Sequence, residues 1–260
     1  MIGYAKTYDG LYFSVGGITS TGGNVTLSGY TPSSTSTDYG IYSSAPSVSA
    51  ANGSVIFQGA KINSAATGSG IFVNAATNTT GGQIDPIYAV ADAANPAFGI
   101  SKGIKWLGNI TANTSTGYIQ IHSKAPEITG NMTAYGLALL GTNQSYSLTG
   151  TGSISAITAS LGTGTLTYTN TGPLTIGSYG GISGITAGAV TLTAGGLLGS
   201  ENITTTGAGS ITLNPSSGTH TYSGVISGGV ALAKSGNGTQ ILTADPVSYT
   251  HLTLPTNREV

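Results

Sequence analysis

The side chains that could perform acid–base chemistry are few in this sequence and mostly far apart. The carboxylates before residue 246 are Asp9, Asp38, Asp85, Asp92, Glu127, Glu201 and Asp245. A glycoside hydrolase needs two carboxylates about 5–10 Å apart, one on each side of the bond that it cleaves. Asp85 and Asp92 are the one close pair in sequence, and they lie in an Ala/Pro-rich segment that favours a loop or an Asx turn. We therefore expect no catalytic residue and no enzyme, with a carbohydrate-active β-helix enzyme such as a polysaccharide lyase as the alternative.

Metal ligands and basic patches are equally sparse. The chain has no cysteine, and His122 and His220 are far apart in sequence. The glycine-rich segment 177–184 lacks the aspartate that a calcium-binding β-roll requires. The net charge is −1 and the lysines are scattered, which argues against nucleic-acid binding. We expect no metal site, no cofactor and, in the absence of a long apolar run, no membrane insertion.

Three residues are candidates for surface contacts. Lys102, Lys105 and Trp106 lie within "SKGIKWLGNI", and Trp106 is the single tryptophan of the chain. An exposed indole beside lysines could bind a sugar or an anionic partner. The alternative is that Trp106 packs on a coil or caps a corner.

The composition predicts an all-β chain. Glycine accounts for 42 of the 260 residues, charged residues for 6% and hydrophobic residues for 38%. Regularly spaced Val, Ile and Leu distinguish the chain from a Gly/Ser linker, and Thr, Val, Ile and Tyr favour strands.

An internal repeat indicates how the strands are arranged. "GNVTLSG" at 23–29 aligns with "GSVIFQG" at 53–59, and "YGIYSS" at 39–44 aligns with "SGIFVN" at 69–74. Each block is a short alternating strand bounded by glycine, and the second half keeps this pattern with looser spacing. We predict a right-handed parallel β-helix, a β-solenoid of about ten coils of roughly 20–30 residues, over 1–245, with the strict repeat in 22–75. Glycine is expected at corners because the turns need left-handed or otherwise restricted backbone angles.

The segment 222–243, "YSGVISGGVALAKSGNGTQILT", resembles the autotransporter-associated β-strand repeat of Gram-negative secreted passenger proteins. The matching positions are Tyr222, Gly224, Ile226, Gly228, Leu232, Lys234, Gly236, Gly238, Thr239 and Leu242. Gln240 and Ile241 depart from the Leu and Thr that are usual in the family. The rest of the chain resembles filamentous-haemagglutinin-like passengers in composition and coil pattern.

This resemblance implies an internal fragment of a type V secreted or surface-displayed protein. Its expected location is extracellular or at the cell surface, and its parent protein would use an outer-membrane translocator. The expected function is a structural or adhesive stalk that contacts a host, bacterial or matrix surface. A further alternative is that the strand repeat acts mainly as an aid to secretion and folding.

The last residues, 246–260, resemble translated sequencing-adapter read-through. They contain Arg258, the single arginine of the chain, and they interrupt the strand repeat where it should continue. We expect this tail to be non-native and unstructured.

Overall fold

The structure is a computed structural model whose described residues form strands and turns, with no helix among them. It describes residues 2–4, 9–14, 16–31, 39–44, 47–51, 53–61, 70–74, 76–79, 87–91, 103–123, 126–150, 152–244 and 252–253. The strands are β1 (Ile2–Tyr4), β2 (Leu11–Phe13), β3 (Ile18–Ser20), β4 (Val25–Thr31), β5 (Ile41–Ser43), β6 (Ser47–Ala50), β7 (Val55–Lys61), β8 (Ile71–Val73), β9 (Ala76–Thr79), β10 (Ile87–Ala91), β11 (Ile104–Trp106), β12 (Ile110–Thr111), β13 (Tyr118–His122), β14 (Glu127–Ile128), β15 (Met132–Leu140), β16 (Tyr146–Leu148), β17 (Ser153–Ser160), β18 (Thr165–Thr169), β19 (Pro173–Ile176), β20 (Ser178–Tyr179), β21 (Ile182–Ser183), β22 (Ile185–Ala187), β23 (Ala189–Ala194), β24 (Gly196–Leu198), β25 (Ile203–Leu213), β26 (Thr219–Tyr222), β27 (Ile226–Lys234), β28 (Thr239–Leu242) and β29 (Leu252–Thr253).

Parallel pairing between successive coils builds a β-solenoid with three faces. Face A stacks β1, β4, β7, β10, β13, β15 and β17, and continues through β22, β25 and β27. Face B stacks β2, β5, β8, β11, β14, β16, β18, β23, β25, β27 and β29. Face C begins with β3, β6, β9 and β12, joins the first residues of β15 and β17, and higher up contains β19, β24, β26 and β28. The predicted fold class is confirmed, while the right-handed sense stays a prediction.

The number and the length of the coils differ from the prediction. The described strands of face B form one continuous ladder from β2 to β29. The number of coils in the structure is not the ten that the sequence predicted. Leu11 pairs with Ile41, whereas Ile71 pairs with Ile104 across a longer stretch of chain. Higher up, Thr191 pairs with Ser210 across a much shorter one. The backbone ladder fixes the strands, and the corners accommodate different lengths of chain.

The core consists of alternate residues that point inward and stack on their counterparts in the next coil. The residues that the internal repeat aligns lie directly opposite each other, as Leu27 does with Phe57 and Ile41 with Ile71. Leu27 is 2% exposed and the other three are fully buried. Burial of such a side chain contributes about 1.5–3 kcal/mol, so stacking in register stabilises each coil through its neighbours.

Glycines occupy corners for two different reasons. Gly162 and Gly236 have φ angles of 60° and 76°, which are the left-handed values expected from the sequence. Gly152 and Gly164 are not among the positive-φ glycines, and a Cβ on either would overlap a backbone carbonyl oxygen of the preceding coil. At these positions the close approach of two coils, and not a left-handed turn angle, requires glycine.

One hairpin leaves the ladder and folds back over face A. β20 and β21 pair antiparallel around Gly180 and Gly181, both with positive φ, in a tight turn. Tyr179 stacks on Tyr118 of β13, with ring centroids 3.8 Å apart and an interplanar angle of 7°. We call β20–β21 the flap; its sequence is the glycine-rich segment 177–184.

The strand repeat at 222–243 forms the top of the solenoid. Tyr222, Ile226 and Leu232 are buried, Leu242 is partly buried against the core, and Gly224 lies where a Cβ would overlap the Glu201 carbonyl oxygen. The remaining motif residues lie in the strands and turns of this segment: Gly228, Lys234, Gly236, Gly238 and Thr239.

Lys234 closes the turn of the repeat. Its ammonium nitrogen donates a hydrogen bond to the Gly236 carbonyl oxygen at 3.0 Å. The Thr239 N–H donates to the Gly218 carbonyl oxygen of the preceding coil at 2.7 Å. The charged side chain therefore stabilises its own turn.

The Gln240 side chain forms hydrogen bonds to the backbone two strands below. Its Oε1 accepts the Leu197 N–H at 2.8 Å, and its Nε2 donates to the Leu197 carbonyl oxygen at 3.0 Å. The side-chain amide thus completes the backbone hydrogen bonding of β24, which the described structure joins to β26 by one bridge, Gly199 to Tyr222.

Replacement of Gln240 with leucine should lower the free energy of unfolding by about 1–2 kcal/mol, because the Leu197 N–H and carbonyl oxygen both lose their partner. Urea denaturation followed by circular dichroism measures the change. Gln240→Glu keeps an acceptor and loses the donor, so an intermediate loss is expected. Wild-type stability in Gln240→Leu would contradict this role.

Within the predicted tail, Leu252–Thr253 form β29 and pair with Leu232 and Ala233. The expectation of an unstructured tail does not hold for these two residues. The other residues of 246–260 lie outside the described part of the chain.

Candidate interaction surface

The outer side of face B carries three aromatic rings in register. Tyr12 pairs with Tyr42, and Tyr42 pairs with Phe72, on β2, β5 and β8. Successive rings are stacked, with centroids 4.9 Å and 5.1 Å apart and interplanar angles of 9° in both pairs. We call these residues the aromatic column. Tyr12 is 60% exposed, so the column ends in a ring that is accessible to a partner.

Tyr39 packs against the side of this column. Its ring centroid lies 5.6 Å from that of Tyr42 and 5.1 Å from that of Phe72. The Tyr39 backbone N–H donates to the Asp9 carboxylate, which lies one coil below. Burial, and then the nearby Asp9 charge, raise the pKa of Tyr39, so its hydroxyl remains a hydrogen-bond donor at neutral pH.

Lys105 and Glu127 continue the same outer column above the rings. Phe72 pairs with Lys105, and Lys105 with Glu127, whose Oε1 lies 2.8 Å from the lysine Nζ. The hydrogen bond to Glu127 raises the pKa of Lys105. Both side chains are substantially exposed, so this ion pair adds little stability and leaves charge available to a ligand.

The structure separates the three surface candidates of the sequence. Lys105 is on the outer side of face B, as expected. Trp106 is 1% exposed and packs edge-on against Phe57 inside the solenoid, with centroids 4.9 Å apart. Trp106 therefore cannot contact a partner at the surface. The reason is the alternation of side chains along β11, which places Ile104 and Trp106 inside and Lys105 outside. Lys102 lies outside the described residues.

The acidic residues with described positions do not converge on one site. Glu127 pairs with Lys105, Asp9 accepts the Tyr39 N–H, and Glu201 accepts a hydrogen bond from Ser183 of the flap. Asp38, Asp245 and the pair Asp85/Asp92 lie outside the described part. Across the described ranges no three His, Cys, Asp or Glu residues are placed to hold a metal ion.

The outer residues of β13 lie beside the flap. Burial lowers the pKa of His122, so the imidazole is neutral at neutral pH. Tyr118 is 8% exposed and makes an edge contact with Tyr135, with ring centroids 5.7 Å apart. Burial raises the pKa of Tyr118, and the nearby Tyr135 and Tyr179 raise it further. The flap seals this aromatic cluster, which leaves the aromatic column as the better interaction surface.

Fold and surface together define a β-solenoid with an exposed aromatic column. No family model, curated protein or solved structure matches the chain. Among the described residues, no helix is long and apolar enough to cross a membrane.

Proposed function

We propose that the chain is a structural and adhesive segment of a secreted or surface-displayed bacterial protein. The observation that carries this proposal is the aromatic column, because its rings are held in register on the outside of a stacked ladder. A preorganised surface of this kind binds without first ordering its side chains. The exposed Tyr12 ring and the Lys105–Glu127 pair offer both apolar and charged contacts along one line.

The partner that suits this surface is a glycan or a protein on a host, bacterial or matrix surface. Tyrosine supplies an apolar face and a polar hydroxyl, so it is frequent where binding surfaces remain wet. The extracellular location and the Gram-negative translocator of a parent protein rest on the resemblance of 222–243 to passenger repeats. The repeat supports this assignment through its buried Tyr222, Ile226 and Leu232.

Beads coated with the full chain should adhere to at least one of two immobilised probes, a mixed glycan panel or collagen, and adhesion should fall with Tyr12→Ser. The substitution removes the exposed ring of the column and leaves the ladder in place. Bead retention under flow, compared with albumin-coated beads, measures the effect.

Tyr135→Ser is the matched control, because Tyr135 is 37% exposed and does not belong to the column. It should leave adhesion unchanged. Retention no better than that of albumin, or an equal loss in both variants, would count against the proposal.

A further inference from the structure

The upper part of face B presents a regular array of hydroxyl side chains. Four successive coils carry the pattern Ser/Thr-x-Thr, at residues 147–149, 167–169, 191–193 and 210–212. They belong to or adjoin β16, β18, β23 and β25, which follow one another in the face B ladder. We call the first and third residues of these segments the hydroxyl array.

The array is two-dimensional and in strict register. One column runs through Ser147, Thr167, Thr191 and Ser210, and the adjacent column pairs Thr169 with Thr193 and Thr193 with Thr212. Adjacent coils are about 4.8 Å apart, and residues on the same side of one strand are about 6.6 Å apart. No register shift interrupts these pairings, so the first column is continuous over four coils.

The residues between the hydroxyls hold the surface in place from inside. Leu148, Tyr168, Leu192 and Ile211 are between 0% and 4% exposed. The Tyr168 hydroxyl donates to Asn170 Oδ1 at 3.2 Å, and the Asn170 Nδ2 donates to the Ile154 carbonyl oxygen at 3.0 Å. Threonine itself has a restricted χ1 angle, so the outer groups are also preorganised.

The array hydroxyls are free to bind something else. Within the described chain none of them has a hydrogen-bond partner, whereas on face A the Ser227 hydroxyl donates to Thr204 Oγ1 at 3.4 Å. Charge is also nearly absent: from residue 147 to 212 the single charged residue is Glu201, which bonds Ser183 of the flap. The lower part of the same column, by contrast, is aromatic and charged.

We propose that the hydroxyl array binds the surface of ice. The spacing between its coils is close to the repeat of oxygen atoms along rows on prism faces of ice, so its hydroxyls can replace lattice waters as donors and acceptors. Each threonine of the array also carries a methyl group, which adds an apolar component to the surface. A soluble sugar would need an exposed aromatic face, but Tyr168, which lies between two array positions, points inward. A charged ligand would need charges that this surface lacks.

This activity uses the part of face B away from the aromatic column, so it does not depend on the adhesive function. The full chain at micromolar concentration should shape growing ice crystals and inhibit ice recrystallisation. Thr191→Lys, which places a long charged side chain at the centre of the array, should lose most of this activity. Nanolitre osmometry and a recrystallisation assay, with albumin as the reference, measure both effects.

Thr219→Lys is the matched control, because Thr219 is exposed but lies on face C. It should keep wild-type activity, and Thr167→Lys should repeat the loss at a neighbouring coil. Circular dichroism melting shows that the compared variants are folded. Ice growth unaffected by the wild-type chain, or an equal loss at Thr191 and Thr219, overturns the proposal. So does Thr191-dependent retention on crystalline cellulose without any effect on ice.

Discussion

Replacement of Trp106 with alanine is expected to lower the free energy of unfolding by about 3–5 kcal/mol, the usual loss when a large buried aromatic side chain is removed. Trp106 is 1% exposed and contacts Phe57 at an interplanar angle of 78°. A stacked coil cannot collapse into the space, because its backbone is bonded to the coils on both sides. Urea denaturation followed by circular dichroism measures the loss.

Two control variants separate burial from other effects. Trp106→Phe keeps a ring beside Phe57 and removes the indole Nε1, which is buried without a hydrogen-bond partner, so a smaller loss is expected. Lys105→Ala, at the adjacent outward position, should change stability by less than about 1 kcal/mol. A loss in Trp106→Ala no larger than that in Lys105→Ala, or ready quenching of the single tryptophan's fluorescence by iodide, would contradict the buried position.

Gly164→Ala is expected to lower the free energy of unfolding by about 2–3 kcal/mol, the upper range for an overpacked site. The added Cβ would overlap the backbone carbonyl oxygen of Gln144 in the preceding coil. A backbone atom cannot rotate away as a side chain can, so the two coils must separate. The Gly188 N–H donates to the Gly164 carbonyl oxygen at 2.7 Å, and this bond would be strained by the shift.

Gly172→Ala is the corresponding control, since a Cβ at Gly172 meets no atom within 4 Å and its φ is not positive. It should unfold at the wild-type urea concentration. Thermal melts of both variants provide a second comparison. Equal melting temperatures for Gly164→Ala and Gly172→Ala would show that coil spacing at residue 164 is adjustable.

The sequence predicted the stacking well where its period is strict. The shift that aligns 23–29 with 53–59 pairs Val25 with Val55 and Tyr42 with Phe72, and these are direct neighbours in the ladder. Each coil repeats the position of the coil below, so a residue spacing in the sequence becomes a contact in space. Later steps vary, as from Thr167 to Thr191 and from Thr191 to Ser210, and the sequence alone could not specify their register.

The position of Trp106 could have been inferred from the alternation around it. The flanking lysines suggested a surface, but Ile104 and Trp106 occupy one side of a strand and Lys105 the other. The position of Trp106 on the same side of the strand as Ile104 carries more information about its burial than the nearby lysines do. The aromatic column had a signal as well, since the same constant shift aligns Tyr12, Tyr42 and Phe72.

The flap was harder to predict. Tyr179, Gly180, Gly181 and Ile182 contain a possible hairpin turn, but the same glycines also occur in β-roll patterns. The contact of Tyr179 with Tyr118 joins positions that no repeat relates. Only the folded coils place the hairpin over β13.

The hydroxyl array could not be predicted from the sequence without the register of the strands. Serine and threonine are common on the outside of any strand, so each Ser/Thr-x-Thr segment is ordinary on its own. The four segments form a lattice because Ser147, Thr167, Thr191 and Ser210 fall in one column.

The flap also shows how such a chain can acquire new parts. Ile176 pairs with Ile157 and Ile185 with Ala159, so the whole of 177–184 occupies a gap that spans one ladder position. The Gly184 N–H closes the base of this excursion by donating to the Gly177 carbonyl oxygen at 2.9 Å. Length can thus be added within a face while the coils on either side keep their partners. Evolution can graft a loop there without redesigning the scaffold.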